Sequence, residues 1–316
     1  MKAAISKKAF FTLGLVFLAV TLFHSEASPW GFATHAYIDG ELEKKNGQKN
    51  DNEIYGGLAP DIFNYVFDLP YQPLLYISTH DDFMRLWNSA QTGMDRSLAV
   101  GFVSHNDVWG ADSTAHHNGI TFGQSEGYVI AKAGLLARIL GQVPEYQALQ
   151  LPEPITLMIS HEFVEDGIDI LMKRADPLIG QRITDAAVHR SKQFSDLLAD
   201  TYADDFAGFS GMGHDDSVRF IKTAENEFRK KMALYGQALM QDEATSIFLI
   251  SEQAAVMAEG FLAAYGLVLP PDVDLTPLIA FAIQQSMMLC AGDIQGELGA
   301  TIEHVDRQLQ ARGISY

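Results

Sequence analysis

The chain has 316 residues, of which 47% are hydrophobic and 20% are charged. This composition is typical of a globular protein with a buried core and excludes a disordered or collagen-like chain. Lysine and arginine number 22 against 40 aspartates and glutamates, so the net charge is -18. Because so acidic a surface repels nucleic-acid phosphates, the composition argues against binding of duplex DNA or RNA.

The N-terminal segment has the pattern of a secretory signal peptide. Lys2, Lys7 and Lys8 precede an uncharged, mostly apolar run over residues 9–23, and small residues follow. We expect residues 1–27 to be removed during export to the periplasm or the medium. An uncleaved membrane anchor is the alternative, which the run disfavours because a membrane span needs roughly 20 apolar residues.

The remaining sequence predicts an all-α fold. Apolar residues recur at helical spacing in several long segments, and the alternating runs typical of strands are lacking. The clearest helical segments are 128–140, 155–172, 217–240, 243–267 and 278–289. Proline and glycine interrupt the pattern at 151–154, 208–213 and 269–272. We expect a multi-helix domain over residues 28–200 and a C-terminal helical extension over residues 201–316.

Histidines and carboxylates are the candidate metal ligands. The single cysteine, Cys290, excludes a disulfide within the chain and a cysteine-rich zinc site, whereas imidazole and carboxylate groups both suit zinc. His161 and Glu165 stand four residues apart in a helical pattern and therefore share one face. Together they could hold one metal ion, or they could form an ordinary polar pair on a solvated face.

The densest group of candidate ligands follows an apolar helical stretch that leads into His105. Glycine and small residues come next, so we expect this helix to end near Gly110 and to present its ligands into a cavity. A purely structural need for so many ionisable side chains is hard to name, which favours metal binding. The members of the group are His105, Asp107, Asp112, His116 and His117.

Four further candidates lie upstream of this group. Asp61 follows Pro60 in an apolar setting, where it could cap a helix or act chemically. His80 ends an apolar segment, and His35 follows Trp30 near the start of the predicted mature chain. The indole of Trp30 by itself is typical of an apolar anchor.

The order of these motifs resembles the bacterial zinc-dependent phospholipase C family, which is related to the single-strand-specific zinc nucleases. The matching motifs are Trp-Gly, His, Asp after Pro, His, a His/Asp/His group and His-x-x-x-Glu, over roughly residues 30–175. The resemblance implies an all-α domain that holds two or three zinc ions. It implies a first zinc at Asp61, His80 and His105, a second at His161, Glu165 and either His116 or His117, and a third at His35 and the backbone of Trp30.

The sequence departs from the family pattern in two places. The family has a bridging aspartate four residues after the histidine that corresponds to His105, but Trp109 stands there. The bridging carboxylate is therefore Asp107 or Asp112, or it is missing. In addition, a terminal amine at Trp30 requires cleavage after Pro29, because cleavage after Ala27 leaves two residues in front of Trp30.

The resemblance implies an exported zinc-dependent phosphodiester hydrolase, a phospholipase C that acts on glycerophospholipids through a metal-bound hydroxide. Asp61 would serve as a ligand or as the catalytic general base. The expected partners are a phospholipid or another phosphodiester and, transiently, a membrane surface. One alternative is a nuclease or other phosphoesterase on the same zinc core. A second is a non-catalytic helical binding protein whose fold is stabilised by metals. A third is a membrane-associated scaffold that acts through residues 215–316.

Overall fold

The computed structural model describes residues 30–46, 50–63, 72–264, 266, 267, 269 and 273–315. The predicted signal peptide, residues 1–27, lies outside the described residues. Within them the chain forms fifteen α-helices and one short 3₁₀ turn, and no strand, which confirms the all-α prediction.

The longest helices, of 17 residues or more, all follow residue 150. In chain order they are α1 (Phe32–Asn46), α2 (Asp51–Leu58), α3 (Gln72–His80), α4 (Met84–Ser89), α5 (Gly93–His105), α6 (Ala111–His116), α7 (Tyr128–Leu140), α8 (Pro144–Ala148), α9 (Glu153–Ala175), α10 (Ile179–His189), α11 (Phe194–Ser210), α12 (His214–Leu239), α13 (Glu243–Ala264), α14 (Thr276–Cys290) and α15 (Ile294–Ala311). The 3₁₀ turn, Ala59–Phe63, follows α2 directly.

The five helical segments predicted from the apolar spacing all form helices, and their ends lie within a few residues of the predicted bounds. The segment that leads into the histidine group differs, because α5 ends at His105 and not near Gly110. The side chain of Asn106 is the physical reason. Its Oδ1 accepts hydrogen bonds from the backbone amides of Val108, Trp109 and Gly110, so these amides are satisfied in a tight turn and not in a continued helix.

Two glycines allow α2 and α5 to cross in direct backbone contact. A Cβ atom at Gly56 would lie 2.0 Å from the carbonyl oxygen of Leu98, and one at Gly101 would lie 2.0 Å from that of Glu53. Only glycine fits at such a distance. The close crossing places the end of α5, and with it His105, beside the carbonyl of Gly57 at the end of α2.

Helix α9 is the central element, since it contacts α1, α7, α13 and α14. At its crossing with α14, a Cβ atom at Gly167 would lie 2.5 Å from the Cβ atom of Ser286. Helix α15 returns to contact α1 and α6. One continuous apolar core therefore joins the helices that follow residue 200 to those that precede it.

Helix α13 has the length and composition of a membrane span: Glu243–Ala263 has a mean hydropathy of 1.3. Helices α14 and α15 meet the same test as a pair but are bent by 75°. The core helix of a soluble protein also passes this test, and α13 contacts α9, α12 and α14. Part of the apolar surface of α13, including Ile247, Ile250 and Leu262, thus packs in the core.

Candidate metal centre

Asp61, His80 and His105 form the first set of buried ligand groups. They come from the 3₁₀ turn and from the last residues of α3 and α5, and each side chain is at most 1% exposed. The Nε2 atoms of the two histidines lie 3.2 Å apart. Oδ1 of Asp61 lies 3.5 Å from Nε2 of His80 and 3.7 Å from Nε2 of His105. These atoms surround a space that could hold a metal ion.

Backbone carbonyls orient both imidazoles of this set. Nδ1 of His105 donates to the carbonyl of Gly57 at 2.7 Å, and Nδ1 of His80 donates to the carbonyl of Tyr76 at 3.1 Å. In a neutral imidazole the remaining nitrogen carries a lone pair, so the two Nε2 atoms meet as acceptors. Burial and the proximity of His105 lower the pKa of His80 to about 3, and burial lowers the pKa of His105. Both rings are therefore in the neutral form that binds metals.

Asp112 joins a second set, with His35 and His105. Its Oδ1 lies 3.1 Å from Nε2 of His35, and its Oδ2 lies 2.6 Å from Nε2 of His105. Burial followed by the charge of Asp107 raises the pKa of Asp112. Burial followed by the proximity of His105 lowers the pKa of His35, whose Nε2 has no hydrogen-bond partner among the described residues. Of the two carboxylates left open by the sequence, Asp112 is the one that reaches both histidines with different oxygens.

Trp30 lies directly beside this second set. Its indole is fully buried, packs near the ring of Tyr128 with centroids 5.7 Å apart, and donates from Nε1 to the carbonyl of Ala111 at 2.9 Å. A hydrogen bond from the backbone amide of Trp30 opposes the rise in the pKa of Asp112. The side chain is therefore an anchor, while the backbone nitrogen of the same residue faces the predicted ligand group.

His116, His161 and Glu165 form a third set between α6 and α9. The Nε2 atoms of the two histidines lie 3.0 Å apart, and Nε2 of His161 lies 3.2 Å from Oε1 of Glu165. The predicted shared face of His161 and Glu165 is thus confirmed. Burial, followed by the charge of Glu162, raises the pKa of Glu165, and burial followed by His116 lowers the pKa of His161. Oε1 of Glu165 has no hydrogen-bond partner among the described residues.

Asp107 and His117 lie at the edge of this arrangement. Nδ1 of His116 lies 3.1 Å from Oδ1 of Asp107, and the hydroxyl of Tyr76 donates to Oδ2 at 2.6 Å. Burial would raise the pKa of Asp107, but hydrogen bonds from His116 and His117 outweigh it and lower the pKa. His117 is 55% exposed, with its Nε2 3.5 Å from Oδ1 of Asp107. Asp107, His116 and His117 also have ligand spacing, but Asp107 contacts the side of His116 that faces away from His161.

Asp169 is a supporting residue that the sequence analysis did not identify. Its Oδ2 accepts from the backbone amide of Ala33 at 2.8 Å, and its Oδ1 accepts from the backbone amide and the hydroxyl of Thr34 at 2.8 and 2.7 Å. These bonds satisfy the first turn of α1, which carries His35. The repeated spacing of four from His161 through Glu165 to Asp169 is the signal that could have revealed this residue.

A cavity of about 540 Å³ adjoins the candidate metal centre. Trp30, Asp61 and Glu165 belong to its wall as well as to the ligand sets or their immediate surroundings. The other wall residues come mainly from α9, α12 and α13. The cavity therefore connects the ligand sets to the groove between these helices.

The structure thus brings every predicted site residue into one region, with His117 and Asp107 at its edge. Four sets of side chains each have their ligand atoms within 4.8 Å of one another and could hold metal ions. Comparison of the chain with protein-family models, curated proteins and solved structures finds no match.

Proposed function

We propose that the chain is an exported zinc-dependent phosphodiester hydrolase of the phospholipase C type. The observation that carries the proposal is the spacing within two sets of histidines and carboxylates. Their ligand-to-ligand separations run from 3.0 Å for His116 and His161 to 3.7 Å for Asp61 and His105. Four tetrahedral ligands on zinc, at bond lengths near 2.0–2.2 Å, lie roughly 3.3 Å apart.

The chemistry of the donor groups supports the same proposal. The lone pairs of His80 and His105 face each other at 3.2 Å, and a cation between them removes their repulsion. Asp107 orients the imidazole of His116, because it accepts a hydrogen bond from Nδ1 and leaves Nε2 available for a metal. Nitrogen and carboxylate ligands without thiolate fit zinc.

The ligand sets support a proposal of two or three zinc positions. Asp61, His80 and His105 would hold the first ion, and His116, His161 and Glu165 the second. Asp112 would bridge the first ion to a third at His35, which the backbone amine of Trp30 would complete in a chain that begins at Trp30. Zinc supplies Lewis-acid chemistry there, since it lowers the pKa of water towards neutrality and offsets negative charge on phosphoryl oxygens.

We propose two roles for Asp61 in hydrolysis, as a zinc ligand and as a general base. Its carboxylate faces His80 and His105 and also lines the cavity, so it meets both the ligand set and a substrate phosphate that enters from the cavity. It can accept the proton of the attacking water as a general base. The water oxygen bonds to phosphorus, the bond from phosphorus to the glycerol oxygen breaks, and that oxygen takes a proton. The products are diacylglycerol and a phosphorylated head group.

The first test is the zinc content of the mature protein, measured by plasma mass spectrometry. We expect two or three zinc ions per chain, with losses in His105→Ala and in His161→Ala. His189→Ala is the matched control, since His189 is 60% exposed at the end of α10 and lies outside the ligand sets. Less than one zinc per chain, unchanged by the two substitutions, contradicts the proposal.

The second test compares substrates with the zinc-loaded protein. We expect release of phosphorylated head group from phosphatidylcholine, and loss of this activity in His161→Ala. Hydrolysis of single-stranded DNA without hydrolysis of lipid would instead assign a nuclease on the same zinc core. Bound zinc without hydrolysis of any phosphodiester would assign a helical binding protein stabilised by metals.

A further inference from the structure

The cavity beside the candidate metal centre has walls of a distinct chemical character. Most of its wall side chains are aliphatic, aromatic or thioether groups. They include Met158, Ile159, Leu234, Ile250, Met257 and Phe261. Apolar walls with adaptable methionines favour a hydrocarbon guest over a polar one.

Polar side chains are the minority of the wall, and the hydroxyl of Tyr235 is already engaged. The polar wall residues are Asp61, Glu162, Glu165, Asp166, Lys231, Tyr235 and Gln253. The hydroxyl of Tyr235 donates to Oδ2 of Asp169 at 2.9 Å and also lies 3.1 Å from Oδ1 of Asp166, so this polar atom is already engaged within the protein. The ring of Tyr235 remains as an apolar part of the wall. A nucleobase needs hydrogen-bond donors and acceptors around its edge, and Tyr235 does not supply one, because its hydroxyl is already engaged.

The two ends of the cavity differ in their surroundings. At one end it includes Asp61 and Glu165 of the ligand sets. Leu234 of α12 and Val256 of α13 also line it, and they are 55% and 72% exposed. The cavity therefore runs from the ligand sets to an opening between α12 and α13, and a guest can enter there with a polar group at the inner end.

We propose that this cavity binds one linear acyl or alkyl chain of the substrate, with the phosphoester held at the metal end. The inference rests on the proposed function and assigns part of substrate binding to α12 and α13, in the region that follows residue 200. The volume of about 540 Å³ lies within the range of small-molecule sites. The metal end of the cavity and its apolar walls together select a molecule with a phosphate at one end and a hydrocarbon at the other.

The test is the affinity of the zinc-loaded mature protein for alkylphosphonates, from ethylphosphonate to dodecylphosphonate, measured by titration calorimetry. These compounds keep a phosphate-like head group and cannot be hydrolysed at a phosphoester bond. We expect Kd to fall by about two- to fourfold per added methylene until the cavity is filled. A Kd independent of chain length overturns the proposal.

Substitutions on α13 test whether the alkyl chain of the ligand lies in the cavity. Ala258 lines the cavity, whereas Ala263 on the same helix is exposed and lies outside the cavity wall. The ratio of the Kd values for ethylphosphonate and decylphosphonate should fall at least tenfold in Ala258→Phe and stay unchanged in Ala263→Phe. Ala254→Leu fills the cavity less and should have an intermediate effect. An unchanged ratio in both cavity variants, folded by circular dichroism, contradicts the assignment.

The two proposals fail in different ways. Chain-length-dependent binding in a protein that hydrolyses no phosphodiester would support the cavity assignment and contradict the proposed function. Hydrolysis of phosphodiesters with chain-length-independent binding would contradict the cavity assignment and leave the function in place.

Discussion

Oδ2 of Asp112 lies 2.6 Å from Nε2 of His105, although the two residues belong to different helices. The turn capped by Asn106 makes this contact, because it ends α5 and starts α6 in a new direction. Trp109, which one further helical turn would have placed beside His105, instead packs against Phe83 with ring centroids 5.4 Å apart. Asp112 therefore takes the position between His35 and His105.

Asp112→Asn should lower the zinc content more than Asp107→Asn. An amide at residue 112 cannot offer an anionic oxygen to both His35 and His105, so we expect the loss of about one zinc ion per chain. Asp107→Asn replaces the carboxylate that orients His116, and that also accepts from Tyr76, by a neutral amide. Losses of this kind cost about 10- to 100-fold in metal affinity. Zinc content after dialysis against graded chelator measures both effects. Equal zinc loss in the two variants would speak against a bridging role of Asp112.

The neighbouring residues His116 and His117 should behave differently on substitution. His116→Ala removes a group whose Nε2 faces His161, so zinc content should fall by about one ion per chain. His117→Ala should retain all zinc, because this side chain is 55% exposed and its Nε2 lies 3.5 Å from the edge carboxylate of Asp107. Plasma mass spectrometry of both variants is the measurement. Zinc loss in His117→Ala would instead place an ion in the set formed by Asp107, His116 and His117.

Zinc binding should release protons. Burial, then the charges of neighbouring carboxylates, raises the pKa of Asp112 and of Glu165 in the metal-free protein, so protons compete with a metal at these carboxyls up to a higher pH than at an ordinary carboxyl. The pKa of His80 is lowered to about 3, so protonation of this imidazole competes only in acid. Zinc affinity should therefore rise with pH. Calorimetry in two buffers of different ionisation enthalpy measures the protons released.

The variant Glu165→Gln tests whether one of the released protons comes from the carboxyl of Glu165. At zinc concentrations that saturate both proteins, it should release about one proton fewer than the unsubstituted protein. Identical proton release in both proteins, or an affinity that does not change with pH, would show that the carboxyls are already ionised before zinc binds.

Asp169→Asn should destabilise the protein and weaken the site that contains His35. The carboxylate accepts from the amides of Ala33 and Thr34 and from the hydroxyl of Tyr235, whereas an asparagine amide points donors at some of these groups. Loss of buried hydrogen bonds of this kind costs about 1–3 kcal/mol. Thermal unfolding should show a Tm lower by several degrees. Asp196→Asn, at an exposed carboxylate, should leave Tm nearly unchanged.

Glu53 should make the protein less stable as pH rises. Its carboxyl is fully buried, and burial followed by the charges of Asp39 and Glu43 raises its pKa to about 10. The folded state therefore holds a proton that the unfolded chain loses above its ordinary value of 4.5. The contribution of this proton to the free energy of unfolding is fully present below pH 4.5. It falls as the pH rises from 4.5 to the folded-state pKa, by at most about 1.4 kcal/mol per pH unit.

Glu53→Gln keeps the shape and removes the titration. Urea unfolding should show it to be more stable than the unsubstituted protein at pH 8, with a smaller difference at pH 5. Glu252→Gln, at an exposed position of α13, is the control and should leave both values unchanged. A stability difference that does not depend on pH would contradict the buried, protonated state of Glu53.

The long helices could be predicted from the sequence because their signal is local. Apolar residues at helical spacing identified Tyr128–Leu140 with its observed bounds and α9 to within a few residues. The pair of His161 and Glu165 was predictable for the same reason, since residues four apart on a helix must share a face. The ordered histidines and aspartates also indicated which residues would gather in one region.

The choice between Asp107 and Asp112, and between His116 and His117, was not predictable from spacing. Both choices depend on the turn at Asn106, where a side chain replaces the helix as the acceptor of three backbone amides. One residue more or less in such a turn rotates every later side chain to a different direction.

The sequence by itself determined the all-α class, the long helices and the inventory of ligand groups, because these depend on composition and on spacing within one helix. The tertiary structure alone decided which ligand atoms meet. The contact of Asp169 with Thr34 and the cavity walls from α9, α12 and α13 join residues far apart in the chain. Such contacts follow from how whole helices cross, as at Gly56 and Gly101, and no local pattern encodes the angle or depth of a crossing.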